Sequence, residues 1–250
     1  MVETTRFPNA PITEALLDIR VKLPAQTNLA KLATFHDAIK QKYPSKHERM
    51  AWRGHIEIQA SPVAQVSQSA AGGPDGYSFT SIDGRQVVQA RLDGFTFSRL
   101  KPYDKWTTLR DEAQELWQHY VRIASPETVT RVALRYINRI EIPLPMRDFK
   151  DYILTTPEIA PDLPQGLGSF FMRLVIPDPK AQAVAIVTET VEPSEESSNR
   201  LPLIFDIDVF RMAAFNVQDN AMWEAFEYLH NLKNDIFFKS ITLKAKELFQ

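Results

Sequence analysis

The stretch VTRVALRYINRIEIPLP, residues 129–145, reads as the longest strand in the chain. Val132, Leu134, Tyr136, Asn138, Ile140 and Ile142 fall on one side of it, and Arg131, Ala133, Arg135, Ile137, Arg139 and Glu141 on the other. Alternation with period two marks a strand that buries one face. A strand this long needs partners on both sides, so the chain must build a sheet around it. Its second face carries three arginines, Arg131, Arg135 and Arg139, and a sheet with that face open to solvent accommodates them.

Residues 11–24 alternate in the same way, with Ala15, Leu17, Ile19, Val21 and Leu23 on one face. Asn28 is placed to cap a helix that runs to about Tyr43, where Pro44 stops it. A second strand is expected over 52–59 with Trp52, Ile56 and Ile58 inward, followed by a small, polar, glycine-bearing loop over 61–76. Asp83-Gly84 between 77–82 and 86–92 is a hairpin signal, and Phe95 and Phe97 continue an extended segment past Gly94. Trp106, Leu109, Ala113, Leu116, Trp117 and Tyr120 recur at three and four residues and predict a helix over 105–123.

The second half repeats this order. A short helix at 149–154 and a Pro/Gly-rich connector at 157–168 precede strands at 170–176 and 181–192. A polar segment at 193–200, a strand at 201–210 and a helix at 220–238 follow, with a terminal helix from Ser240 or Thr242. Leu17, Ile19, Val21 and Leu23 correspond to Tyr136, Asn138, Ile140 and Ile142; the Trp106 helix corresponds to the Trp223 helix. The expected fold is therefore α+β, a duplicated β-α-β(n)-α unit whose antiparallel sheet carries two long helices on one face. The pseudo-repeats span about 11–123 and 131–238 of a single domain, with a C-terminal tail.

Composition narrows the chemistry. Lys plus Arg number 29 against 31 Asp plus Glu, a net charge of -2, which lacks the basic excess of a non-specific nucleic-acid binder. The absence of cysteine excludes disulfides, thiolate metal sites and a thiol nucleophile. Eight glycines spell no phosphate cradle and no nucleophile elbow. The five histidines are scattered, with no pair at metal-ligand spacing. The N-terminus shows no basic start and apolar core of a signal peptide, and no apolar run is long enough to span a membrane. A cytoplasmic protein without cofactor or bound metal is the expectation.

Several phrases together resemble a sporadically distributed bacterial protein family of unknown function: FPNAPITEALLDI, FTFSRLKPYDKW, VALRYINRIEIP, FDIDVF and FFKSIT. They run in the family's order over nearly the full length. The resemblance implies a bacterial protein of about this size and brings no activity, cofactor or catalytic residue with it.

Seven residues are candidates for a ligand or partner surface. Arg131, Arg135 and Arg139 can contact an anion or nucleic acid, or can be paired with acidic neighbours. Asp206 and Asp208, on one face of their strand, can hold Mg²⁺ with a third ligand, or can pair with arginines across the sheet. Tyr136 and Asn138 either line a cavity between sheet and helices or belong to a satisfied core network. With no catalytic motif in the chain, the leading expectation is a binding protein acting through a protein partner or as a homo-oligomer. Its alternatives are a metal-dependent phosphoryl-transfer or nuclease-type enzyme using Asp206 and Asp208, and a nucleic-acid clamp using the arginine face.

Overall fold

A computed structural model describes residues 7–59, 65–192 and 199–250, with 52–59 and 65–71 described by backbone alone. Most of the polar segment 193–200, and the side chains of Trp52, Ile56 and Ile58, therefore lie outside the described residues. The chain runs β1 (Ile12–Lys22), α1 (Leu29–Ala33), α2 (Phe35–Ile39), β2 (Ser45–Gln59), β3 (Gln65–Thr80), β4 (Gln86–Arg91), β5 (Gly94–Leu100) and α3 (Trp106–Ala124). It continues with β6 (Thr128–Pro143), a 3-10 turn (Phe149–Asp151), β7 (Phe171–Asp178), β8 (Ala183–Val191), β9 (Arg200–Phe215), α4 (Ala221–Ser240) and α5 (Leu243–Glu247).

The nine strands of the described residues join one antiparallel sheet in the order β2-β3-β4-β5-β1-β6-β9-β8-β7. The alternating segment is β6, near the middle, paired with β1 on one side and β9 on the other. Its register places Leu134 between Leu17 and Val209, and Val132 beside Ile19. Val132, Leu134, Tyr136, Asn138, Ile140 and Ile142 are all buried on this face. Phe95 meets Trp117 and Tyr120 of α3, and Phe205 stacks on Phe237 of α4, so the apolar helix stripes close over the same core. Trp106 of α3 stacks on His230 of α4 with ring centroids 4.8 Å apart.

The expected architecture, a duplicated β-α-β(n)-α unit with two long helices on one face, is corrected here. Strands hold about twice as many residues as helices, and the molecule is chiefly sheet. Between β1 and β2 the anticipated helix is two five-residue pieces, α1 and α2, that meet at Thr34. After β6, where a matching unit would place its helix, there is only the three-residue 3-10 turn. Pro145, Pro157, Pro161 and Pro164 interrupt that connection, and each lacks the N–H a continuing helix needs. The first half then builds four further strands and the second half three.

The loop expected over 61–76 is also corrected. From Gln65 onward it belongs to β3, which pairs with β2 from Gln59↔Gln65 to Ser45↔Thr80. β4 pairs only with Gly76–Thr80, so the remainder of β2 and β3 runs past it as a two-stranded ribbon. There β3 pairs with β2 alone, and its small, polar, glycine-bearing sequence without apolar alternation looks like a loop. One glycine has a defined task at the sheet centre: a Cβ on Gly94 would lie 2.2 Å from the Ile19 carbonyl oxygen. No other residue allows β5 to approach β1 there.

Candidate functional site

The arginine row lies on the face of β6 that points away from the helices, and every member has acidic company. Arg135 grips Asp206 with a two-toothed fork, Nε to Oδ1 at 2.9 Å and Nη2 to Oδ2 at 2.6 Å. Asp206 comes from β9, where Ile137 is opposite it, so the pair is diagonal. Arg131 reaches Asp18 at 3.3 Å and Asp208 at 3.7 Å, and its guanidinium lies 4.5 Å from the Phe210 ring centre. Arg139 meets Glu141 and Glu192, each at 3.3 Å.

Asp18 is the hub of this network. Buried on β1, it accepts from Arg91 Nη2 and Thr96 Oγ1 at 2.7 Å each and from Arg20 Nε at 3.1 Å. Burial opposes its charge, but Arg91 and Arg20 overcome that and hold its pKa below the ordinary carboxylate value. At Asp208 the balance reverses: burial raises its pKa in spite of Arg131 and Arg135. The outer face is thus a mosaic of satisfied ion pairs, not a positive field.

This geometry separates the sequence candidates. Asp206 and Asp208 share a face, as spacing required, but Asp206 is taken up by Arg135 and Asp208 faces Arg131. Among the described residues no three His, Asp or Glu side chains gather as a metal site. Tyr136 and Asn138 are buried and partnered. The Tyr136 hydroxyl lies 2.8 Å from that of Tyr103, and Asn138 Nδ2 donates to the Phe205 carbonyl at 2.9 Å.

Besides Asp18 and Arg91, two further buried ionisable groups were not among the candidates. Lys233 of α4 holds its Nζ 3.7 Å from the Tyr136 ring centre and donates to Asn234 Oδ1 at 2.6 Å. Burial pushes its pKa down to about 7. Neighbouring His230 is pushed down to about 3, first by burial and then by Lys233, and so stays neutral against Trp106. Glu189 of β8 is fully buried, and neither carboxylate oxygen has a hydrogen-bond partner among the described residues. Burial raises it to about 7. Both were visible in the pattern. Glu189 continues the parity of Ala183, Ala185 and Val187, and Lys233 lies on the stripe of Phe226, Leu229 and Phe237.

The remaining feature is the sheet margin. β7 is an edge strand, FMRLVIPD, with Phe171, Val175 and Ile176 exposed to 71%, 54% and 47%. On the outer face Val175 adjoins Ile186 of β8, and further across the sheet Met212 of β9 is 62% exposed. The opposite edge, β2, begins SKHER and exposes Lys46, His47 and Glu48. No helix among the described residues is long and apolar enough to cross a membrane. The chain matches no protein-family model and no curated protein.

Proposed function

We propose that this is a binding protein that takes a protein partner along β7 and the adjoining outer face of β8 and β9. The observation that carries this reading is an apolar edge that no strand pairs with among the described residues. Natural sheets blunt their edges with charge, proline or a covering element, because unpaired N–H and C=O groups invite another strand. β2 follows that rule with Lys46, His47 and Glu48. β7 follows it only in part: Arg173, Pro177 and Asp178 accompany five large apolar residues, and the proline and the charge at 177 and 178 lie at one end. Strand addition would satisfy its backbone while Phe171 and Val175 supply apolar contact. The outer-face ion pairs support a protein partner over a nucleic acid, since their arginines are already neutralised by carboxylates.

The test is a photo-crosslinking residue placed at Phe171 in growing cells, with His47 on the other edge as control. A protein adduct at 171 and none at 47 is expected. Absence of any protein adduct at 171, with the variant folded, refutes the reading.

A further inference from the structure

We propose that the occupant of β7 is a second copy of this chain, paired antiparallel about a two-fold axis through Val175 that extends the sheet from nine strands to eighteen. This rests on the reading of β7 as a binding edge and names its partner.

Symmetry supplies the first constraint. A two-fold that keeps two antiparallel edge strands in one continuous sheet stands normal to the sheet and leaves each side chain on its own face. Residue i must then meet a residue of the same parity, so the axis passes through a residue and not between two. Centring on Leu174 or Val175 gives the longest overlap of the eight-residue strand.

Charge decides between these two registers. About Leu174, the two Arg173 side chains would sit diagonally, two residues apart along the strands, about 7 Å, inside the reach of like-charge repulsion. About Val175 they are four residues apart, about 13 Å, beyond the ~8 Å screening length. In that register Val175 meets its own copy, Leu174 meets Ile176, and Arg173 lies beside Pro177, so no like charges are opposed. Pro177 lacks an N–H, which removes at most one ladder donor per strand near the end of the overlap.

Closure is the second constraint. Pairing of β7 with β2 of another copy would leave free edges and propagate without limit, whereas pairing of β7 with itself closes as a dimer. The charged residues on β2 and their absence from most of β7 fit the closed arrangement.

A chain without cysteine allows a direct test. Opposed residues of an antiparallel pair have Cα atoms about 4.5–5.5 Å apart, within disulfide range. Single variants V175C, L174C and, on the other edge, E48C would be oxidised after light scattering has given the mass of each. The wild type should be a dimer, V175C should link into a covalent dimer, and L174C and E48C should not. V175K should be monomeric with an unchanged circular-dichroism spectrum. A register centred elsewhere would appear as preferential linking of L174C and overturns the proposal. A monomer at all concentrations with no V175C link overturns it too. If the Phe171 crosslinker then captures a different protein, partner binding at β7 survives; if it captures nothing, both readings fall.

Discussion

Replacing Glu189 by Gln should stabilise the protein at neutral and alkaline pH and leave it nearly unchanged in acid. The carboxyl is fully buried with both oxygens unpartnered among the described residues, and burial moves its pKa from 4.5 to about 7. At about 1.4 kcal/mol per pH unit, ionising it in place costs on the order of 3 kcal/mol. Between those two values the folded state holds more protons than the unfolded state, so stability falls as pH rises through the window. Below pH 4.5 both states are protonated and the penalty vanishes; above 7 it is complete. Glutamine keeps the shape without a charge. Urea unfolding of wild type and E189Q at several pH values between 4 and 8.5 gives the difference directly, with all other titrations cancelled. The variant's advantage should grow from near zero to about 3 kcal/mol across that range. An advantage independent of pH would show that Glu189 ionises as readily in the folded state as in the unfolded one, its oxygens finding a partner when charged.

Lys233→Met should act with the opposite sign. Its amine is lowered from 10.5 to about 7, so the unfolded state holds more protons in that window and wild-type stability rises with pH through it. The variant's gain should be a few kcal/mol below pH 7 and fade towards pH 10.5; a gain that persists at pH 10.5 contradicts this. Leu134→Ala, in a fully buried site between Leu17 and Val209, should lose about 2–5 kcal/mol in urea unfolding. A loss under about 0.5 kcal/mol, the size of a neutral surface change, would deny it a core position. Asp206→Asn should lose about 1–3 kcal/mol by stripping Arg135 of its carboxylate, with much of the loss shared by Arg135→Gln in a double-mutant cycle. Mg²⁺ or Mn²⁺ should leave the wild-type Tm unmoved; a rise abolished in D206N/D208N would show that the aspartates bind metal instead.

Legibility in the sequence tracked whether an element buries a face. β1 and β6 alternate because one side meets the helices and the other does not, and their inward residues could be named from spacing alone. The stripe from Trp106 to Tyr120 identified α3 in the same way. Of the β2–β3 ribbon only the β2 half is legible, over 52–59, where Trp52, Ile56 and Ile58 alternate; the β3 half, small and polar over 65–76, is paired by its backbone and carries no side-chain pattern to read. The sequence understates the sheet because the small polar run from Gln65 onward is strand, and overstates helix because the segment after β6 holds only a three-residue 3-10 turn.

The candidate site shows a second limit, between what a strand knows of itself and what its neighbours decide. Period two put Arg131, Arg135 and Arg139 on one face, but their net charge depends on which strands lie alongside. β9 supplies Asp206 and Asp208, and β1 supplies Asp18; with those neighbours the row is neutralised. Had another strand stood in the place of β9, Arg135 would lose its carboxylate and Arg131 would keep Asp18 alone, while Arg139 would still have Glu141 and Glu192. β7 carries the same lesson further. FMRLVIPD would be an ordinary interior strand in a sheet that continued beyond it, and its apolar residues would need no explanation. Among the described residues the sheet stops there, so an unremarkable apolar run becomes an unpaired edge. The property on which its proposed role as a binding surface rests is a matter of topology, and a second strand laid against it is what its composition suits.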